Sequence, residues 1–173
     1  MSDCCSTSGV TCDGTIRVTQ IDWNSTGLDG TLNRNYIPLK VTILNLEVNS
    51  LTGAIPSQLP SGLVQLYLYG NLMSGNLPLF PANIQRLVFR YPGWPGNHFT
   101  GSVLLNTPTH VYINDNWISD LLVQDNSTMT GCDISNTPLL GNPNIVNLVL
   151  CAKVGLYDVK SLPCLKLLYG CHA

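Results

Sequence analysis

Two segments of the chain, LNLEVNSLTGAIP at 44–56 and LYLYGNLMSGNLP at 66–78, place the same residue types in the same order 22 residues apart. A period of this length constrains the fold strongly, because one unit is too small to bury its own apolar stripe and must stack on its neighbours. The frame is apolar, two variable, apolar, one variable, apolar, two variable, Asn, one variable, apolar, one variable, Gly, one variable, apolar. Val41, Leu44, Leu46, Asn49, Leu51, Gly53 and Ile55 fill it, followed by Pro56; Leu63, Leu66, Leu68, Asn71, Met73, Gly75 and Leu77 fill it again, followed by Pro78. Val18, Ile21, Trp23, Leu28, Gly30 and Leu32 form an earlier copy with Thr26 in the Asn position. Pro108, Val111, Ile113, Asn116, Ile118 and Leu122 form a later one with Asp120 in place of Gly, and Met129, Cys132, Ile134, Thr137, Leu139 and Gly141 another. Between them, Ile84, Leu87 and Phe89 open a copy whose Asn97, Phe99, Gly101 and Val103 arrive five residues late, behind the insertion RYPGWPG. A worn copy starts at Ile145, Leu148 and Leu150, which makes seven units, two of them degenerate.

The alternation Leu44-x-Leu46 reads as a strand with its leucines inward and Asn45 and Glu47 outward. Stacked units then align these strands into a parallel sheet over one continuous core. The recurring asparagines, Asn49, Asn71 and Asn116, have a physical role in such a stack. A buried turn leaves backbone donors and acceptors without water, and an amide at each level can bond the backbone of its own unit and of the next. Each group left unpaired would cost about 1–3 kcal/mol. The Gly and Pro that follow mark the return of the chain along the far side, where Leu51 and Ile55 give a second inward alternation.

Asn-x-Leu-x-Gly-x-Ile-Pro, in five spaced copies, resembles the plant-type leucine-rich repeat of receptor-kinase ectodomains and polygalacturonase-inhibiting proteins. The resemblance covers residues 4 to about 157. It implies a right-handed, curved solenoid of about seven repeats, α/β in class but mostly strand and irregular segments. A concave parallel sheet lies on one side, with 3₁₀ or irregular segments on the convex side. DCCSTSGVTCDG at 3–14 is similar to the end of that family's N-terminal cap, which implies a Cys5–Cys12 disulfide and leaves Cys4 without its usual upstream partner. The expected division is a residual cysteine cap at 1–15, repeats at 16–157 and a disulfide-clasped cap at 158–173. For Cys132, Cys151, Cys164 and Cys171 three pairings are open. Cys164–Cys171 is favoured, with Cys132–Cys151 second.

Seven cysteines argue for an oxidising compartment, so the chain is expected to be secreted or on the extracellular face of the cell surface. The first residues, MSDCCSTSG, lack the basic start and apolar centre of a secretory signal, so the signal has been removed or the chain is an excerpt. The charged fraction, 10%, is well below the roughly 25% of average soluble proteins, and Asn, Thr, Ser and Gly supply the polar surface instead. A net charge of −2 gives no reason to expect nucleic acid, and no apolar run is long enough to span a membrane. Asn24-Ser25-Thr26 and Asn126-Ser127-Thr128 are glycosylation acceptors by sequence. His98, His110 and His172 are scattered and no Cys-x-x-Cys occurs, so neither a metal nor a cofactor is expected.

Read level by level, the outward strand positions concentrate Tyr67, Tyr69, Arg86, Arg90, His110 and Tyr112 at the middle of the stack. Aromatic and guanidinium groups dominate binding hot spots. Beside them lies the insertion, whose Tyr91 and Trp94 have no place in the repeat frame. The structural alternative is a cross-strand tyrosine ladder with Trp94 folded back as a lid. Catalysis is not expected: Asp22, Glu47 and Asp133 fall on different levels, so the carboxylate pair of a polysaccharide-active solenoid is not implied. The reading is a non-catalytic module that binds a protein, peptide or glycan through its concave face, with Tyr67, Tyr69, Arg86, Arg90, Trp94, His110 and Tyr112 as the binding set. The alternative is a wall or filament component that self-assembles, since low charge weakens repulsion between copies and an uncapped apolar end favours stacking.

Overall fold

The structure, a computed structural model, describes residues 4–90, 96–124, 128–134 and 136–141 of the 173-residue chain. Its strands are β1 (Val10–Cys12), β2 (Val18–Asp22), β3 (Asp29–Thr31), β4 (Ile43–Asn45), β5 (Ser50–Gly53), β6 (Gln65–Tyr67), β7 (Leu72–Asn76), β8 (Arg86–Val88), β9 (His98–Leu105), β10 (His110–Tyr112), β11 (Trp117–Val123) and β12 (Gly131–Asp133). One sheet has the order β1-β2-β4-β6-β8-β10-β12, and a second the order β11-β9-β7-β5-β3. From β2 onward every neighbour in the first sheet is parallel, so each unit contributes one strand and the chain coils through five turns. β1 is antiparallel to β2 and covers that edge of the sheet. The Cys5–Cys12 disulfide ties it down, and Cys4 is free and exposed. Asp13 closes the turn to β2 by accepting from Thr15 and Arg17, which holds its carboxyl far below the usual carboxylate range.

The far side differs from the expectation of irregular or 3₁₀ segments. The chain forms a second parallel sheet there, because the alternation begun by Leu51 recurs at each level and backbone groups one level apart pair directly. The glycine of the frame bends these strands: Gly53 and Gly75 sit at φ +73° and +93°, where a side chain is strained. At Asp120 the chain solves the same problem differently, with a bulge between Ile118 and Asp120. The described 3₁₀ segments are Cys4–Ser6, Arg34–Tyr36 and Pro138–Gly141.

The core lies between the sheets as stacked stripes. Leu44, Leu66, Leu87, Val111 and Cys132 form one and Leu46, Leu68, Phe89, Ile113 and Ile134 another, all buried. Full burial of each leucine contributes about 1.5–3 kcal/mol. At the irregular level aromatic rings fill the wider turn, with Phe89 centred 4.9 Å from Phe99 and 6.0 Å from Phe80. Cys132 is disulfide-bonded, while Cys151, Cys164, Cys171, the copy from Ile145 and the cap at 158–173 lie outside the described residues.

The asparagines bond between levels as well as within them. Asn71 Nδ2 donates to Leu68 O in its own unit and to Leu46 O one level back, both at 2.9 Å, while its Oδ1 accepts from Leu51 N–H at 3.0 Å. Asn49 donates likewise to Leu46 O and Trp23 O and accepts from Leu28 N–H. Asn116 accepts from Phe99 N–H and donates to Ile113 O. Asn97 belongs to the same series, although the insertion places it eight residues after Phe89: it donates to Phe89 O and Leu68 O and accepts from Met73 N–H. At the two ends of the described stack Thr26 and Thr137 supply the within-unit bond, to Trp23 O and Ile134 O. Each regular slot is preceded by a left-handed residue, Ser25, Val48, Gly70, Asp115 and Asn136, which turns the following side chain inward.

Candidate functional site

Pairing across β2, β4, β6, β8, β10 and β12 sets two outward columns in register. The first is Gln20, Ile43, Gln65, Arg86, His110 and Gly131, and the second is Asp22, Asn45, Tyr67, Val88, Tyr112 and Asp133. Just past the strand ends, Asn24, Glu47, Tyr69, Arg90 and Asn114 continue the alternation.

In the middle of these columns four side chains form a hydrogen-bonded row across three strands. Tyr67 Oη donates to Gln65 Oε1 at 2.6 Å and accepts from Arg86 Nη1 at 3.1 Å. Arg86 Nε donates to His110 Nδ1 at 3.2 Å, and its Nη2 lies 3.1 Å from His110 Nε2. The His110 and Tyr112 rings are tilted by 45° with centroids 6.1 Å apart. Gly131 makes room for both: a Cβ there would lie 2.4 Å from Tyr112 Oη and 2.6 Å from His110 Cδ2. Burial, and then the Arg86 charge, hold the His110 pKa below its ordinary value, so the ring is neutral near pH 7. All five of Gln65, Tyr67, Arg86, His110 and Tyr112 are half-buried, with part of each surface left to solvent.

Two members of the expected set have other partners. Tyr69 hydrogen-bonds Glu47, and Asn24 Nδ2 lies 3.4 Å from Glu47 Oε2. Arg90 Nε stands 3.1 Å from Asp115 Oδ2, an ion pair that is not aligned as a hydrogen bond, and Asn114 and Asn136 donate to the same carboxylate. Tyr91, Trp94 and Asn126 lie outside the described residues. Three outward positions prove to be buried: Glu47 at 7%, Val88 at 7% and Asn114 at 5% exposure. Val88 is flanked in register by Tyr67 and Tyr112. Asn114 is occupied with Asp115, and burial pushes the Glu47 carboxyl up to about 7.

Gln65 and Gly131 complete the row without having been singled out from the sequence. A lone glycine at a strand position was the available signal, since it marks close approach by a neighbour. Among the described residues no three His, Cys, Asp or Glu side chains are grouped to hold a metal ion.

The sequence matches no protein-family model and no curated protein sequence. Solved structures do match. A chain of the BIR3–SERK2 complex from Arabidopsis thaliana aligns over 79% of this chain and 77% of its own, at 23% identity and a TM-score of 0.57. The BIR2 ectodomain from Arabidopsis thaliana aligns over 78% and 76%, at 22% identity and 0.55. The chain has a leucine-rich-repeat fold. The leucine-rich-repeat ectodomain of the Arabidopsis receptor kinase HAESA, solved with an IDA peptide hormone ligand, aligns over 78% of this chain and 29% of that ectodomain chain, at 19% identity and a TM-score of 0.50. At these identities the likeness is one of leucine-rich-repeat architecture.

Proposed function

We propose that the chain is a non-catalytic, extracellular recognition module that binds a protein or peptide partner across the concave, outward face of its first sheet. The observation that carries this reading is the row Gln65–Tyr67–Arg86–His110 with Tyr112, which joins three levels through side chains while the core uses only their backbone and the residues between them. Similar solenoids are solved in a protein complex and with a peptide hormone. The Cys5–Cys12 bridge supports an oxidising, extracellular setting. Trp94 is kept in the proposed binding set, and the division into caps at 1–15 and 158–173 around repeats at 16–157 is kept as part of the same proposal. Tyr69 and Arg90 act in it as supports, through Glu47 and Asp115. Asn24, exposed at the rim of this face, is proposed to carry a glycan, as is Asn126.

The test compares the wild-type chain with a Tyr67→Ala/Tyr112→Ala variant, each immobilised and exposed to extracellular proteins and peptides of the source organism. A partner retained by the wild type and lost by an equally stable variant supports the reading; retention by both overturns it. Self-assembly is the second reading. Leu104 and Leu122, in register on neighbouring strands, are 40% and 50% exposed on the outer side of the second sheet. Light scattering that shows a strict monomer at high concentration would remove that alternative.

A further inference from the structure

The two arginines of the outward face differ in one respect. Arg90 is neutralised by Asp115, whereas Arg86 makes no ion pair among the described residues and directs its donors to the neutral groups of Tyr67 and His110. A guanidinium offers N–H donors alone, and a neutral imidazole has a single acceptor nitrogen. Both ring nitrogens of His110 face Arg86, at 3.2 and 3.1 Å, so at least one contact sets N–H against N–H. Protonation of the ring makes both contacts of that kind and places two cations together. The row is thus short of one acceptor and, at lower pH, of one negative charge.

We propose that Arg86 and His110 form an anion subsite that takes a carboxylate of the bound partner and captures a proton at His110 as it does so. The proposal rests on the recognition-face reading above. A carboxylate accepts from both groups at once, in charge-assisted bonds of the stronger class. The other charged or titratable groups around His110 are Tyr112 on its own strand and Asp133 on β12, in register with Tyr112. Tyr67 lies beyond Arg86 on β6, and the Arg90–Asp115 pair is already balanced. Thr109 Oγ1 lies 3.0 Å from His110 Nδ1 and orients the ring.

The sign follows from linkage. In the free protein the His110 pKa is depressed, and a bound carboxylate raises it, so affinity grows as pH falls through the interval between the two values, by up to about tenfold per pH unit. The same depression makes the folded chain gain stability as pH rises through the unfolded histidine range.

The experiment follows the His110 ring resonances by NMR through a pH titration of the whole chain. Sodium chloride is compared with two carboxylates at equal ionic strength: N-acetylalanine, whose only carboxylate is terminal, and N-acetylaspartic acid α-methylamide, whose only carboxylate is on the side chain. The expected result is a higher His110 midpoint with carboxylate than with chloride. The larger rise shows whether a chain terminus or an acidic side chain is the source, and equal rises support an unselective subsite. Arg86→Gln raises the midpoint by itself and abolishes the carboxylate effect, while Arg86→Lys, which keeps the charge but loses the fork, weakens it. Equal midpoints in chloride and both carboxylates would overturn the subsite. The tyrosine variant would still report on the recognition face, so the two failures are separable.

Discussion

The inward and outward walls of the first sheet are made of alternate residues on the same strands, yet only one of them repeats. Inward, Leu44, Leu66, Leu87 and Val111 succeed one another, and each described level from Thr26 to Thr137 closes with a side-chain bond to its own backbone. Outward, the same levels present Ile43, Gln65, Arg86 and His110, and then Asn45, Tyr67, Val88 and Tyr112. Burial selects residue type at every level in the same way, so packing duty shows itself as recurrence. Where recurrence stops, the side chains are released from that duty, and their chemistry depends on neighbours one level away. A row such as Tyr67–Arg86–His110 has no counterpart within any single repeat.

The largest expected effect breaks this contrast at its hardest point, the irregular level. Asn97→Ala leaves the Met73 N–H and the Phe89 carbonyl without their amide partner in the interior, and should destabilise the chain by about 3 kcal/mol, as much as Asn71→Ala at a regular level. Tyr67→Phe on the outward wall should cost under about 1 kcal/mol. Urea unfolding of the three variants decides it. A cost for Asn97→Ala no larger than that of Tyr67→Phe would mean the insertion had broken the series.

Glu47 sharpens the comparison, because it is an outward residue that behaves as a buried one. Its folded pKa of about 7 lies above the ordinary value of 4.5, so the folded state holds a proton that the unfolded state has lost, and stability falls as pH rises from 4.5 to 7. Glu47→Gln removes this loss. The variant should gain about 1–2 kcal/mol on the wild type at pH 7.5, after screening by nearby solvent, and little at pH 4.5. A gain independent of pH would place the ionised carboxylate in good contact with water.

The smallest effect concerns the joint between the walls. Val48 holds φ +53°, a conformation that a β-branched residue adopts at a cost, where the next level has Gly70. Val48→Gly should stabilise the chain by about 1 kcal/mol in thermal unfolding, less whatever its half-buried side chain contributes.

The inward wall was legible in the sequence because its requirements recur: leucines at fixed spacing, an amide, a glycine. Asn97 was legible as a late member of the frame, but its place in the hydrogen-bonded series was not, since a period cannot show that an insertion loops out while the amide returns. The second sheet was half legible, in the alternation begun by Leu51, and the left-handed residues before the regular slots were hidden because a β-branched Val48 carries no sign of it. On the outward wall the residue types were readable but not their pairings. Tyr69 with Glu47, and Arg90 with Asp115, are matches between levels that depend on rotamer and depth. That Gly131 seats the His110 and Tyr112 rings is visible only in the fold, because the sequence shows no more than a missing side chain.

Native-state hydrogen exchange at the Met73 amide tests most directly whether an inward amide closes every level whatever its spacing. In the wild type it should be protected to the same degree as Leu51 and Phe99, which bond to Asn71 and Asn116, and in Asn97→Ala it alone of the three should exchange through a lower-energy opening. Fast exchange at Met73 in the wild type, or protection unchanged by loss of Asn97, would contradict the account.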